Sequence, residues 1–598
     1  MKLNYKRTIL VGFAFFLISA FWTAYEAIIP LILTNKFGMS QTWSGVIMAA
    51  DNILAVFLLP IFGALSDKCR SRHGRRTPFI FIGTLLAALL LQGLSFADNM
   101  QLKNVSDVAA IDDPAGMHIL YDTQGDKTLR TPEGENYVLS KEYTEDEFVA
   151  IPSKVKVVKL ADPLKILRKN DISLEYEDRD TLSLIDLLTA EDIASIEKAA
   201  DREVVQKICD NRWIVKVLGE KGYVLFDSLS ESEQKNMDEE QFKIIANPEY
   251  VNYVAPARQA YAAEATDKSP VALILFIALL LAVLISMAIF RSPAVALMPD
   301  VTVKPLRSKG NAIINLMGTA GGILSLVLGI LFATSDVKNS MMSYTSFFCV
   351  VSGVMLIALG IFILTVREPQ WAKQMQDDSI RYGVEEKEEE TNSKKRKLTS
   401  GETRSLIFIL LSVALWYFGY NAVTSKFSVY ASNILQEDFN STMLLAQGAA
   451  IVTYIPSGLI ATKIGRKRTI MIGVVMLASA FGVAAFLRAG SPAWLMNALF
   501  ILAGMAWATI NVNSFPMVVE MCSGGDVGKY TGYYYTASMA AQTATPMISG
   551  FLMDKIRMTV LFPYATIFVA LAFVTMFCVK HGDAKVVAKT GLEALDVD

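Results

Sequence analysis

An all-α membrane bundle of twelve helices, set out as two six-helix halves, is the fold class this chain predicts. Three observations predict it. The 598 residues are 53% hydrophobic and only 19% charged, with a mean hydropathy of +0.38. That is too apolar for a soluble chain of this length. Twelve apolar runs are long enough to cross a bilayer, and they fall six and six about a charged gap. A charged loop, GALSDKCRSRHGRR (Gly63 to Arg76), recurs in weaker form as GLIATKIGRKR (Gly458 to Arg468), as a duplicated bundle requires.

A helix needs about 20 apolar residues to cross roughly 30 Å of hydrocarbon. The runs that qualify are 9–33, 43–64, 79–97, 270–290, 311–333 and 343–366, then 405–431, 443–462, 469–487, 491–516, 530–552 and 559–579. The chain divides into helices 1–3 (1–97), an insertion (98–268), helices 4–6 (269–366), a linker (367–404), helices 7–12 (405–579) and a tail (580–598). The first run follows Lys2, Lys6 and Arg7 like a signal peptide. It is too long for a signal core and no small-residue cleavage site closes it, so it reads as a retained first span.

Lysine and arginine in the connecting segments set the orientation. With the N-terminus in the cytoplasm, the inner segments hold 29 and the short outer loops hold 5 (Lys36, Lys338, Arg488, Lys555, Arg557). Both termini are expected inside, in a bacterial inner (plasma) membrane, with the chain monomeric.

The insertion at 98–268 is then outside. It carries 35 acidic against 21 basic residues, a net −14, which suits a solvated outer surface. Long domains translocate regardless of charge. VKVVKL (155–160) alternates like a strand and 181–208 has helical apolar spacing. Trp213, Tyr223 and Phe226 could supply a small core. A compact α+β module is expected, with a charged loop as the alternative. In the linker, EEKEEE (385–390) and KKRK (394–397) read as a solvated connector, its basic run able to touch anionic lipid headgroups. Nucleic acid is not an expected partner of a chain embedded in a bilayer.

Catalytic classes find little support. The five cysteines (Cys69, Cys209, Cys349, Cys522, Cys578) form no C-x-x-C pair, and the three histidines (His73, His118, His581) are dispersed. No metal site, cofactor or nucleophile is expected, and no G-x-x-x-x-G-K-[ST] motif supports drive by ATP.

Twelve spans, a central linker and G-x-x-x-D-K-x(n)-G-R-R after span two resemble the major facilitator superfamily. Within it, SDKCRSRHGRRTPFI (66–80) is similar to the corresponding stretch of sucrose–proton symporters. Residues 50–67, 291–318 and Trp416–Tyr430 resemble bacterial glycoside–pentoside–hexuronide:cation symporters. The insertion lies outside the resemblance. Two departures stand out. The sucrose-transporter pattern P-x-R-A-L-x-x-D reads Pro293, Ala294, Val295, Ala296, Leu297, Asp300, with valine in the arginine's place and Arg291 four residues earlier. In the second loop copy, Thr462 replaces the acid.

The charged loop suggests a cytoplasmic gate. Asp67 ends span two beside Arg75 and Arg76 at the start of span three, and arginine–carboxylate pairs are strong and directional when partly desolvated. Packed between the halves, such a cluster could close the inner side and break as the halves rock. Asp300 and Glu520 are the expected counterparts. For Arg70 and Arg72 the plainer reading is the positive-inside bias alone.

Ionisable groups within spans default to function. Glu26 and Asp51 are the candidates for coupling to a cation. A carboxylate in low dielectric can load and release a proton near neutral pH, and carboxylates kept ionised beside other oxygens would favour Na⁺. Lys426 pairs with one of them or snorkels to water. A sugar site needs hydroxyl-directed hydrogen bonds and an aromatic face. The candidates are Trp22, Tyr25 and Asn52 in the first half, with Tyr420, Asn421, Thr424, Lys426, Trp507, Asn511 and Asn513 in the second. Tyr533, Tyr534 and Tyr535 are secondary. The expected function is cation-coupled symport of a sugar or glycoside by alternating access, with H⁺ as the leading ion. The alternatives are another solute carried on the same fold (a drug, organic acid or peptide) and a membrane sensor headed by the insertion.

Overall fold

A computed structural model of the chain describes residues 3–123, 128–130, 136–138, 143–159, 195, 223–226, 234, 242–247, 249–303, 306–381, 399–435, 437–487, 492–519 and 527–581. The first half opens with α1 (Tyr5–Leu31, extended by a π turn over Ile32–Lys36), α2 (Gln41–Lys68) and α3 (Thr77–Asn104). The insertion follows, with α4 (Ser106–Ala109), α5 (Pro114–Asp122), β1 (Thr128–Arg130), β2 (Asn136–Val138), α6 (Glu145–Val149), β3 (Lys154–Lys159), β4 (Tyr223–Leu225), β5 (Phe242–Ala246) and α7 (Ala255–Lys268). The half closes with α8 (Val271–Val301), α9 (Arg307–Leu331) and α10 (Thr345–Thr365). A linker helix α11 (Glu368–Arg381) leads to the second half: α12 (Ser400–Tyr430), α13 (Phe439–Ile464), α14 (Arg466–Ala484), α15 (Ala493–Val519), α16 (Val527–Lys555) and α17 (Leu561–Phe577).

Among the described residues, ten helices are long and apolar enough to cross a membrane. The other two expected spans, 443–462 and 530–552, fall within α13 and α16, helices of 26 and 29 residues in the same bundle. Helix starts follow local signals. Thr399 and Glu402 form a reciprocal capping box that begins α12 five residues before the expected 405. Pro30, Pro60, Pro456, Pro516 and Pro546 all lie inside helices.

Helices in lipid associate through close packing rather than hydrophobic exclusion. α1 and α9 show how. A Cβ added at Gly321 would lie 2.2 Å from the Phe16 carbonyl oxygen, so only glycine lets these backbones approach. Ser325 Oγ also donates to the Ala20 carbonyl at 2.7 Å. One apolar cluster fills each half. Leu31 of α1 belongs to the cluster of the second half, so α1 bridges the two.

The described part of the insertion holds a small sheet and a buried cluster. β3 does form over most of 155–160, between β4 and β5 in an antiparallel sheet with Val157 opposite Leu225 and Lys154 opposite Ala246. The expected helix at 181–208 (apart from Ser195) and Trp213 lie outside the described residues, as do both charged runs of the linker. Among the described residues, a buried cluster comes from the insertion's flanks: Val105, Val108, Met117, Leu120, Phe148, Ile151, Tyr250, Tyr253 and Val254, joined by Met341. These flanks continue α3 and lead into α8, so the insertion packs on the bundle it leaves.

A buried ion pair ties this junction. Lys36 Nζ meets Asp98 Oδ1 at 2.6 Å, and both side chains are 0% exposed. Asp98 Oδ2 accepts from the Tyr344 N–H, while Gln101 bridges the Lys36 carbonyl and Thr266 Oγ1, each at 2.8 Å. Lys36, counted in the sequence among the outer-loop bases, is therefore structural. Breaking a buried pair by removing one charge costs about 3–5 kcal/mol, whereas replacing both with apolar groups is close to neutral. Asp98→Asn is expected to lower the detergent-solubilised melting temperature sharply, and the Lys36→Met/Asp98→Leu double variant to recover most of the loss. Thermal unfolding of the three proteins measures both effects.

Candidate functional site

A cavity of about 430 Å³ lies between the two halves. From α1 it takes Phe15, Ser19, Thr23 and Glu26, spaced three and four residues apart on one helical face. Asn315, Thr319 and Gly322 come from α9, and Tyr420, Asn421 and Thr424 from α12. Gln447 and Tyr454 of α13 and Trp507 of α15 complete the polar and aromatic lining. Tyr420 and Trp507 stack with centroids 3.6 Å apart and planes 2° from parallel, and Tyr417 meets Trp507 edge-on at 5.1 Å. Asn421 Nδ2 is buried with no hydrogen-bond partner. A buried donor left unmade is costly, so this amide is poised for an acceptor brought by a ligand. Glu26 is the carboxylate of this lining.

Of the predicted residues, Glu26, Tyr420, Asn421, Thr424 and Trp507 are brought together here. Ser19, Thr23, Asn315, Thr319, Gln447 and Tyr454 were missed. The signal for the first two was present: at seven and three residues before Glu26, they share its helical face.

Asp51 occupies a neighbouring cluster outside the cavity lining. Its Oδ1 accepts from Asn52 Nδ2 at 2.9 Å. Arg291 of α8 lies close enough to Asp51 to interact electrostatically, and its guanidinium sits 5.5 Å from the centre of the Trp22 ring. Trp22 packs edge-on against Tyr25 at 5.4 Å, and both Trp22 Nε1 and Tyr25 Oη are buried without hydrogen-bond partners. Asp51 and Glu26 also feel each other's charge. The two carboxylates thus occupy adjacent compartments, one open to the cavity and one beside an arginine. Arg291 stands one turn before Val295, which is 51% exposed.

Three predicted binding residues point elsewhere. Asn513 is buried and donates to the Thr509 carbonyl of its own helix at 2.9 Å. At about 100° per residue it lies some 240° around α15 from Trp507. Asn511 follows Trp507 by one turn but is not part of the cavity lining. Lys426, fully buried, donates to the Gln41 carbonyl of α2 at 2.7 Å.

That lysine is part of a latch. Asp554 of α16 accepts from the N–H groups of Gln41 and Thr42 (3.0 and 2.6 Å) and from Thr42 Oγ1 at 2.5 Å, capping the first turn of α2 from the other half. A Cβ at Gly45 would lie 2.1 Å from the Pro546 carbonyl oxygen, so α2 and α16 touch backbone to backbone. Beside this latch, Ser335 donates to Asp438 at 2.5 Å and Asn440 to Thr334 Oγ1 at 3.1 Å. These bonds between halves cluster at the end of the bundle that carries the insertion.

The charged loop sits at the opposite end. Arg75 binds Asp300 through two nitrogens, at 2.5 and 3.0 Å. Arg76, buried, reaches Asp300 at 2.8 Å and Asp67 at 2.5 Å. Hydrogen bonding to Asp300 pushes the Arg75 pKa above its ordinary value. Arg70 and Arg72 are exposed, as the positive-inside reading expects. The cluster was expected between the halves. Instead these pairs join α2, α3 and α8 within the first half, because Asp300 lies on the helix that packs along α3. Glu520 and the Thr462 side chain lie outside the described residues.

A residue the sequence did not flag organises this end. Glu368, 2% exposed, accepts from the N–H groups of Arg75, Arg76 and Thr77 and from Thr77 Oγ1. It caps α3, which has no side-chain cap of its own. Losing a cap costs about 0.5–2 kcal/mol. Glu368→Ala is expected to lower stability by at least that much, read by thermal unfolding, with Glu368→Gln losing less because the amide oxygen still accepts.

Two family models match the chain. "Major Facilitator Superfamily" covers residues 432–594 and "MFS/sugar transport protein" covers residues 10–109. Among curated proteins, the general alpha-glucoside permease of Schizosaccharomyces pombe is 33% identical over 84 residues, 12% of this chain and 15% of that one. A sucrose transport protein of Arabidopsis thaliana is 30% identical over 63 residues, 10% of this chain and 12% of its own length. The human proton-associated sugar transporter A is 41% identical over 75 residues, 12% of this chain and 10% of its own length. The matched stretch thus spans about a seventh or less of each relative. Among solved structures, the inward-open xylose transporter XylE from E. coli superposes with a TM-score of 0.51 at 12% identity, covering 99% of both chains. Two separate stretches of the chain, residues 10–109 and 432–594, thus match major facilitator superfamily models, and the chain resembles that superfamily's sugar transporters.

Proposed function

We propose that the chain is a secondary active transporter that carries a sugar or glycoside together with a cation, H⁺ being the leading ion. The observation that carries this reading is the cavity between the halves. It joins a stacked aromatic pair, amides on three helices and a single carboxylate. A pyranose offers an apolar ring face and several hydroxyls, which such a lining can meet. The scarcity of cationic groups in the lining favours a neutral solute.

In this reading the helices cross the membrane twelve times, with the insertion outside and the arginine-rich end in the cytoplasm, as the base count orients them. The latch between α2 and α16 then closes the outer side, and the cavity is reached from within. Asp51 is the coupling group and Arg291 its counter-charge. A proton on Asp51 leaves a buried guanidinium uncompensated, a costly state. That cost, with sugar bound beside Glu26, would bias the halves toward the other arrangement.

Reconstitution in proteoliposomes tests the reading, with a sugar panel and imposed H⁺ and Na⁺ gradients. Accumulation of a sugar above equilibrium under one gradient is expected. Uptake of an organic acid, peptide or drug instead would replace the substrate assignment. Asn421→Ala is expected to weaken sugar affinity by about tenfold, the loss of one good hydrogen bond of about 1.4 kcal/mol, seen as a raised KM. Asp51→Asn, assayed at several external pH values, is expected to abolish gradient-driven accumulation while sparing sugar exchange. Undiminished proton-driven accumulation by that variant would move the coupling role to Glu26.

A further inference from the structure

Residues 36–40 form a strap between α1 and α2. Its first residue, Lys36, is locked by Asp98 and by Gln101, which also binds Thr266 of α7. Phe37, 1% exposed, packs on Phe276 with centroids 5.3 Å apart. Gly38 has φ +65°, and a Cβ there would stand 2.3 Å from the Ala263 nitrogen and 2.6 Å from its Cα. Those atoms are the backbone of α7, the insertion's last helix, so they cannot yield as a flexible side chain would. Gln259, one turn earlier on α7, donates to the Met39 carbonyl at 3.5 Å. The very next residues after Ser40 are Gln41 and Thr42, which Asp554 and Lys426 grip from the other half.

Thus α7 holds the strap on one side while the latch holds its far end. We propose that the insertion positions the gate at its end of the bundle: α7, through Gly38, Gln259 and Ala263, sets where the first turn of α2 presents its N–H groups to Asp554. A carboxylate cap depends on hydrogen-bond geometry held within a few tenths of an ångström, so displacing the strap from α7 weakens the latch and frees the halves to part. Gly38, Gln259 and Ala263 are positioning residues; Asp554 and Lys426 make the contact. The inference rests on the transporter reading for its consequence, but its geometry is read without any substrate.

The test uses the full chain in lipid nanodiscs with its native cysteines replaced by serine. Spin labels are placed on Lys103→Cys at the end of α3 and Phe486→Cys after α14, both exposed and on opposite halves. Pulsed dipolar spectroscopy then reports the separation of the halves. Gly38→Ala and Gln259→Ala are expected to raise the long-distance population several-fold, toward that of Asp554→Ala, where the latch itself is cut. Lys154→Ala, which removes a 2.5 Å ion pair anchoring the insertion to Asp336 away from the strap, is expected to leave the distribution unchanged. Wild-type distances in folded Gly38→Ala and Gln259→Ala proteins would overturn the proposal, as would an equal shift in Lys154→Ala. If Gly38→Ala does not fold, Gln259→Ala decides alone. Failure of the sugar panel leaves these distances intact, so the two readings fail separately.

Discussion

The first turn of a helix leaves backbone N–H groups without partners in the helix, and at two starts in this protein a carboxylate from a distant part of the chain supplies them. Asp554 caps α2 and Glu368 caps α3. The two caps lie at opposite ends of the same pair of helices and come from different partners. One belongs to the other half of the bundle, the other to the linker helix. α2 is therefore held to the second half at its start, while the turn that follows it is held to the first half and its linker. Under the proposed alternating access, rocking of the halves would break the former contact and preserve the latter.

This asymmetry explains why the charged loop does not bridge the halves. Arg75, Arg76, Asp67 and Asp300 satisfy one another within the first half, and Glu368 seals the turn beneath them. The cluster stiffens one end of a rigid body. The contacts that join the bodies are instead caps and short hydrogen bonds around Asp554, Lys426, Asp438 and Asn440, beside glycines that allow backbone contact. Such bonds are individually modest, which suits a seam that opens in the proposed transport cycle.

The same division orders the interior. The cavity draws its lining from both halves, so its shape changes whenever they move. Asp51 and Arg291 sit together in the first half, next to Glu26 but outside the cavity lining. In the proposed symport, a change of charge at Asp51 would be felt at the cavity through Glu26 and α1 without the cation and the solute sharing one set of ligands. Arg291 is the residue that the sequence left ambiguous. A turn's displacement from the expected arginine position, with Val295 facing outward, still brings a guanidinium to the carboxylate.

The apolar runs, the bias of bases, the loop duplication and the identities of Glu26, Asp51, Tyr420, Asn421 and Trp507 were all legible in the chain, because each depends on local composition or on rarity within a span. Gln447, Asn315 and Tyr454 were not, since a polar residue in a span gains its meaning only from the helix opposite. Helical phase misled the reading of Asn513 and Lys426: both are unusual residues in spans, but one folds back on its own carbonyl and the other reaches for α2. Glu368 and Asp554 were invisible for a related reason, as they cap helices some 290 and 510 residues away. Sequence by itself determined that this is a helical membrane bundle in two halves and which side carries positive charge, because bilayer thickness and solvation act on each segment alone. Tertiary structure alone decided which polar groups meet, because those partners are chosen by the crossing of helices and not by their order.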